Sequence, residues 1–188
     1  MHFDDAILSA FFETAVSAVK KEDELLQQHC EGPCGYHHGV GWVPEPILMH
    51  LIFRSLIGKT PGYQIRAEQP YPGHPTTYAD LVFYQGMEWV ACVEAKWLES
   101  RPKLDSAKND MQRMRGKLPG TIRKFMLGFW VHDPQYAAGL DPWLAELAGT
   151  PGTDRLWTGT FKTHWSQASG PPFSLIEIEA GLTLFEVK

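Results

Sequence analysis

The chain predicts an α/β protein, a three-layer sandwich in which helices flank a central mixed β-sheet. Three observations predict it. Helical and strand-like segments follow one another in the order α-α-β-β-β-α-β-α-β-β. Two neighbouring strands, 78–84 and 89–97, are apolar on both faces, as in a sheet centre covered on both sides. The first two helices carry apolar residues at the spacing of one face. The 188 residues suffice for one domain with a full core.

Taken in order, Asp4 or Asp5 caps a helix running to about Gln28, with Ile7, Leu8, Phe11, Phe12, Ala15, Val16 and Val19 on its apolar side. The stretch from His29 to Val43 is a glycine-rich loop. Pro44-Glu45-Pro46 opens a second helix, since proline is tolerated in a first turn. Ile47, Leu48, Leu51, Ile52 and Leu56 line that helix, and Gly58 ends it. Tyr63 to Gln69 reads as a strand, Pro70 to Thr77 as a proline-rich loop, and the two central strands follow. Leu104 to Lys117 is helical and stops at Pro119-Gly120. Thr121 to His132 is a strand with Phe125, Leu127, Phe129 and Val131 on one face. Pro142 to Ala148 is a short helix and Leu156 to Trp165 a strand. Gly170-Pro171-Pro172 breaks the chain, and Phe173 to Val187 forms a hairpin or two short strands. The organisation is a single domain, 1–188. Residues 1–43 supply a helix and a Gly/His/Cys loop, 44–132 the core, and 133–188 a helix and strands that complete the sheet.

Composition narrows the function. No apolar stretch approaches 18 residues, so no membrane helix is expected. The acidic start, Met1-His2-Phe3-Asp4-Asp5, is unlike a signal peptide, and a cytoplasmic location is expected. Three cysteines, an odd number, argue against a disulfide scaffold. Net charge is −5, yet Lys96 to Lys124 holds nine basic and three acidic residues, +6, leaving −11 elsewhere. A positive stretch beside a site suits a polyanion. Lys103, Lys108, Arg113, Arg115 and Lys117 are its candidate nucleic-acid contacts; a solvated helix face is the plainer alternative. No Gly-x-Ser-x-Gly elbow, Walker loop or dinucleotide fingerprint is present.

Asp80, Glu94 and Lys96 carry the chemistry. Strands this apolar have no reason to hold two acids and a lysine unless the charges meet one another or a metal. Glu94 and Lys96 point the same way, and a hairpin brings Asp80 beside Glu94. Asp80 sits directly opposite Glu94 if the loop is Gln85 to Trp89; a two-residue loop at Gly86-Met87 requires a bulge. Carboxylates of Asp80 and Glu94 suit Mg²⁺ or Mn²⁺, with the Ala95 carbonyl as a further ligand. The metal would activate water and neutralise charge on a phosphate, and Lys96 would orient the water or stabilise the transition state. A salt bridge from Lys96 to one of the acids is the structural alternative.

Asp80, thirteen residues, then Glu94-Ala95-Lys96, within an α-β-β-β-α-β order, resembles the PD-(D/E)XK nuclease superfamily. The match spans roughly Pro44 to His132, about half the chain, with Ala79 where that superfamily often has proline and no Gln-x-x-x-Tyr after Lys96. The resemblance implies a restriction-endonuclease-like fold and Mg²⁺-dependent hydrolysis of phosphodiester bonds. It implies metal ligation by Asp80 and Glu94 and a catalytic Lys96. It also implies a further acid on the preceding helix, which Glu45 matches. Asp110 and Gln112 match loosely the polar contribution of the helix after the lysine strand. DNA is the expected substrate ahead of RNA, in restriction, repair or phage defence. A homodimer, or a protein partner supplying specificity, is compatible with this.

Cys30, Cys34, His37 and His38 form a second cluster whose spacing could hold a structural Zn²⁺, the alternative being a glycine-rich loop with an exposed histidine pair. The tryptophans lie mostly in or beside strands, where core packing explains them before base stacking does. The rival readings of the whole are a catalytically inactive nuclease-fold module that binds nucleic acid or protein, and an unrelated interaction protein. The latter would place Asp80 and Glu94 on opposite faces or far apart.

Overall fold

The structure, a computed structural model, describes residues 3–29, 39–132, 140–167 and 174–188. Helix α1 (Asp5–His29) begins where the Asp4 carboxylate accepts the N–H of Ala6 at 2.8 Å, satisfying one of the open donors of the first turn. Leu8, Phe11, Phe12, Ala15 and Val19 form its buried stripe. A short 3-10 turn (Val40–Trp42) leads into α2 (Glu45–Leu56), with Pro44 at its cap. Leu48, Met49, Ile52 and Leu56 are buried there, whereas Ile47, expected on the apolar face, is half exposed. Each fully buried Leu, Ile or Phe contributes about 1.5–3 kcal/mol by leaving water.

Strands β1 (Gln64–Tyr71), β2 (His74–Gln85) and β3 (Glu88–Trp97) form an antiparallel meander. Helix α3 (Arg101–Lys117) then crosses to β4 (Arg123–His132), which runs parallel to β3. Helix α4 (Leu140–Ala148) and the antiparallel pair β5 (Thr153–Gln167) and β6 (Ser174–Val187) complete one six-stranded mixed sheet, ordered β1-β2-β3-β4-β6-β5. Helices α1 and α2 cover one face over Leu81, Phe83, Val93, Phe125 and Leu127. Helices α3 and α4 cover the other over Val82, Cys92, Met126 and Phe185. The α/β class and the layering of helices on both faces of a mixed sheet therefore agree with the sequence. Among the described residues, no helix is long and apolar enough to cross a membrane.

Two expectations are corrected. Pro70 to Thr77 is not a loop: β1 and β2 continue into a turn at Pro72-Gly73, closed by the pair Tyr71–His74. Gly73 takes φ 74, as the third position of a turn with proline at the second requires. Pro70 is tolerated because β1 is the edge strand, and Pro75 because this part of β2 pairs only with β1. Residues 174–187 are one strand, not a hairpin. Gly181, inside that strand, marks a close approach: a Cβ there would strike the Gly159 carbonyl and the Trp130 ring.

Candidate active site

The hairpin between β2 and β3 sets the register. Its loop is the two-residue Gly86-Met87, with Gln85 opposite Glu88 and Tyr84 opposite Trp89. The register then shifts, so that Phe83 faces Ala91 and Leu81 faces Val93. This is the bulge that a short loop demands. The extra residue, Val90, is accommodated in the α1/α2 core beside Ala91. Continued by one residue, the shifted register sets Asp80 opposite Glu94.

The ladder between β2 and β3 ends there. In place of a main-chain carbonyl, Oδ2 of Asp80 accepts the N–H of Ala95 at 2.7 Å. In a strand the N–H and C=O of one residue point to the same side, so the Ala95 carbonyl also faces the end of the ladder. Asp80, Glu94 and Lys96 thus share the α3 side of the sheet, toward the C-terminal end of β3. Glu94 is 4 % exposed. It accepts from the Tyr71 hydroxyl, and Nη2 of Arg113 lies 3.2 Å from its Oε1. Lys96 Nζ stands 3.4 Å from Oε1 of Glu45 and 3.4 Å from Oδ2 of Asp110. Oε2 of Glu45 accepts the N–H of Trp97 at 2.9 Å, which ties the start of α2 to the end of β3. Nη1 of Arg113 is 2.7 Å from Oδ1 of Asp110, one turn earlier on α3. Salt links therefore run from α2 through β3 to α3.

Electrostatics follow from burial. The Glu94 carboxyl is pushed up to about 7, first by desolvation and then by the charge of Asp80, against the pull of Tyr71 and Arg113. Asp80 is also raised, by burial above all, with its bond to Ala95 working the other way. Burial opposes the charge on Lys96, but Glu45 and Asp110 outweigh it and its pKa is raised. Lys96 therefore stays protonated at neutral pH. Burial and the Glu94 charge likewise raise the Tyr71 hydroxyl, keeping it a donor.

Four carboxylates (Glu45, Asp80, Glu94, Asp110) meet two cations (Lys96, Arg113), so the fully ionised cluster carries −2. That imbalance and the two raised carboxyls fit a hard divalent cation between Asp80 and Glu94, with the Ala95 carbonyl alongside. Among the described residues, no three His, Cys, Asp or Glu side chains form a ready cage. An ion here would keep several waters, as Mg²⁺ does.

Glu45, expected from the sequence to belong to this site, lies in it as the partner of Lys96. Asp110 joins it as well, but Gln112 is exposed on the outer side of α3. Of the expected nucleic-acid contacts, Arg113 is in the carboxylate cluster and Lys108 pairs with Glu146 of α4. Arg115 donates to Thr153 and the Lys188 carbonyl, and Lys117 to Thr77. Lys103 is exposed. Cys30, Cys34, His37 and His38 lie outside the described residues. Tyr71 was missed because it fell inside the supposed loop. The Pro72-Gly73 turn signal, flanked by residues able to pair, was the clue to its strand. No protein-family model, no curated protein and no solved structure matches the chain.

Proposed function

We propose that this protein is a metal-dependent nuclease of the PD-(D/E)XK type, with a restriction-endonuclease-like core, and that it hydrolyses phosphodiester bonds at the Asp80–Glu94–Lys96 cluster. One observation carries the reading. Asp80, Glu94 and Lys96 stand on one face of two adjacent buried strands, in a cluster with uncompensated negative charge. Mg²⁺ or Mn²⁺, bound by Asp80, Glu94 and the Ala95 carbonyl, would supply Lewis acidity toward water and charge neutralisation at a phosphate. The chain's own groups do the rest. Lys96, kept protonated by Glu45 and Asp110, acts as a donor to the developing negative charge and not as a base. Glu45 holds that ammonium in place and fixes the end of β3 through Trp97 N–H. Tyr71 orients the Glu94 carboxylate. DNA is preferred to RNA as substrate on the resemblance alone, and a homodimer or a protein partner would supply specificity.

The test is an assay of Mg²⁺- and Mn²⁺-dependent cleavage on plasmid, linear duplex and single-stranded substrates. Native protein is compared with Asp80→Ala and Lys96→Met. Cleavage by native protein alone supports the reading; equal cleavage by all three refutes it.

A second reading is an inactive module of the same fold that binds nucleic acid or protein. The observation favouring it is that Lys108 and Arg113 are already paired with carboxylates, which reduces the positive surface available to a polyanion. Binding of nucleic acid without cleavage under any metal would select it.

A further inference from the structure

We propose that Arg113 holds the cation's place at Glu94 and is displaced when a divalent ion binds, which rests on the reading of Asp80 and Glu94 as ligands. Glu94 stands beside Asp80 at the end of the β2–β3 ladder, and the guanidinium is the one cation within pairing distance of Glu94 among the described residues. A divalent ion on Glu94 and a guanidinium 3.2 Å from the same carboxylate repel each other, so the two compete.

The geometry says which partner moves. The Glu94 side chain is 5 % exposed and sits on a central strand, whereas the Arg113 side chain is 32 % exposed and comes from the covering helix. Arg113 has a second anchor, since Nη1 is 2.7 Å from Oδ1 of Asp110 on its own helix. That anchor keeps the guanidinium at the rim after Glu94 is given up. Its present seat is also imperfect: Nε is buried and, among the described residues, has no acceptor. Swinging outward would hydrate that donor. Tyr71, buried to 2 % exposure, stays on Glu94 and keeps the carboxylate aimed.

Arg113 is therefore a positioning residue. It neutralises Glu94 until the ion arrives and sets the affinity for that ion. Once displaced, it presents a planar fork of donors, suited to a phosphate oxygen pair, at the mouth of the site.

The experiment is Mn²⁺ titration by calorimetry on native protein, Arg113→Gln and Arg113→Lys, each checked for native circular dichroism. Arg113→Gln should bind Mn²⁺ about tenfold more tightly, the scale on which one neighbouring charge shifts an acid site. Arg113→Lys, which keeps the charge, should return toward native affinity. Unchanged or weaker binding by the glutamine variant overturns the inference while leaving the metal site standing. No Mn²⁺ binding by any of the three removes the metal site itself. A second measurement covers a variant that does not fold. In native protein, Mg²⁺ titration should move the Arg113 Nε resonance toward that of a solvent-exposed guanidinium; a resonance that saturating Mg²⁺ leaves in place also overturns the inference.

Discussion

At the residue scale, Glu94 concentrates the chemistry because it is an acid placed where its charge is costly. Its carboxyl titrates near 7, against an ordinary 4.5, because desolvation and Asp80 together favour the proton. A folded-state pKa raised above the unfolded one gives stability that is fully present below about 4.5 and lost as pH climbs through about 7. Glu94→Gln keeps the shape and removes the charge. It should therefore stabilise the protein by roughly 3 kcal/mol at pH 8 and leave it unchanged at pH 4, read by urea denaturation at both values. Equal effects at the two values would show that Glu94 is ordinary. The same variant should lose divalent-ion binding, so stability and function would move in opposite directions. Asp80, Glu94 and Lys96 were legible as a cluster because charged residues on apolar strands demand partners. Tyr71 and Arg113 were not. A tyrosine among prolines carries no sign of burial, and an arginine in a basic helix reads as surface until the helix is docked.

At the element scale, the β2–β3 hairpin turns sequence into site. Period-two alternation made both strands plain, but it could not choose between a longer loop and a short loop with a bulge. The structure has the second, because Gly86 adopts φ 64 as the first of the two loop residues, which suits a two-residue connection. Gly86→Val should cost roughly 1 kcal/mol or more, whereas Met87→Ser, at an exposed tip, should cost nothing measurable by thermal denaturation. Strand β6 teaches the converse. Glycine inside an apolar run resembles a break in sequence, yet Gly181 exists so that Trp130 and the β5 backbone can approach. Gly181→Ala should destabilise by about 3 kcal/mol, seen as a lowered urea midpoint, because backbone and ring must both shift. A neutral outcome would mean that the strand can slide away from Trp130.

At the scale of the whole molecule, the succession of elements and the layers of helices on a mixed sheet were readable because the first two helices carry apolar stripes and each central strand two apolar faces; the order of strands within the sheet was not. Where the positive charge goes was not readable. The basic stretch looked like a polyanion track, but its members divide between those paired with carboxylates and those without once α3 is docked. Lys108 and Arg113 are matched with Glu146, Glu94 and Asp110, leaving Lys103, Arg115 and Lys117 without carboxylate partners among the described residues. Nucleic-acid affinity should therefore fall with salt at a log–log slope of about −3 on duplex DNA, against about −4.5 if all five contacted phosphates. Lys103→Ala and Lys117→Ala should make the slope shallower, and Lys108→Ala should not. Fluorescence anisotropy across a salt series in EDTA, with no divalent ion to displace Arg113, reads this directly.

The central claim is that the cluster at the end of the β2–β3 ladder is a divalent-cation site, and calorimetric titration of Mg²⁺ and Mn²⁺ into native protein and Asp80→Asn tests it most directly. The account predicts one site in the native protein, an affinity that rises as pH is taken through about 7, and no binding by the variant. Absence of binding by the native protein at pH 8, or equal binding by Asp80→Asn, would contradict it.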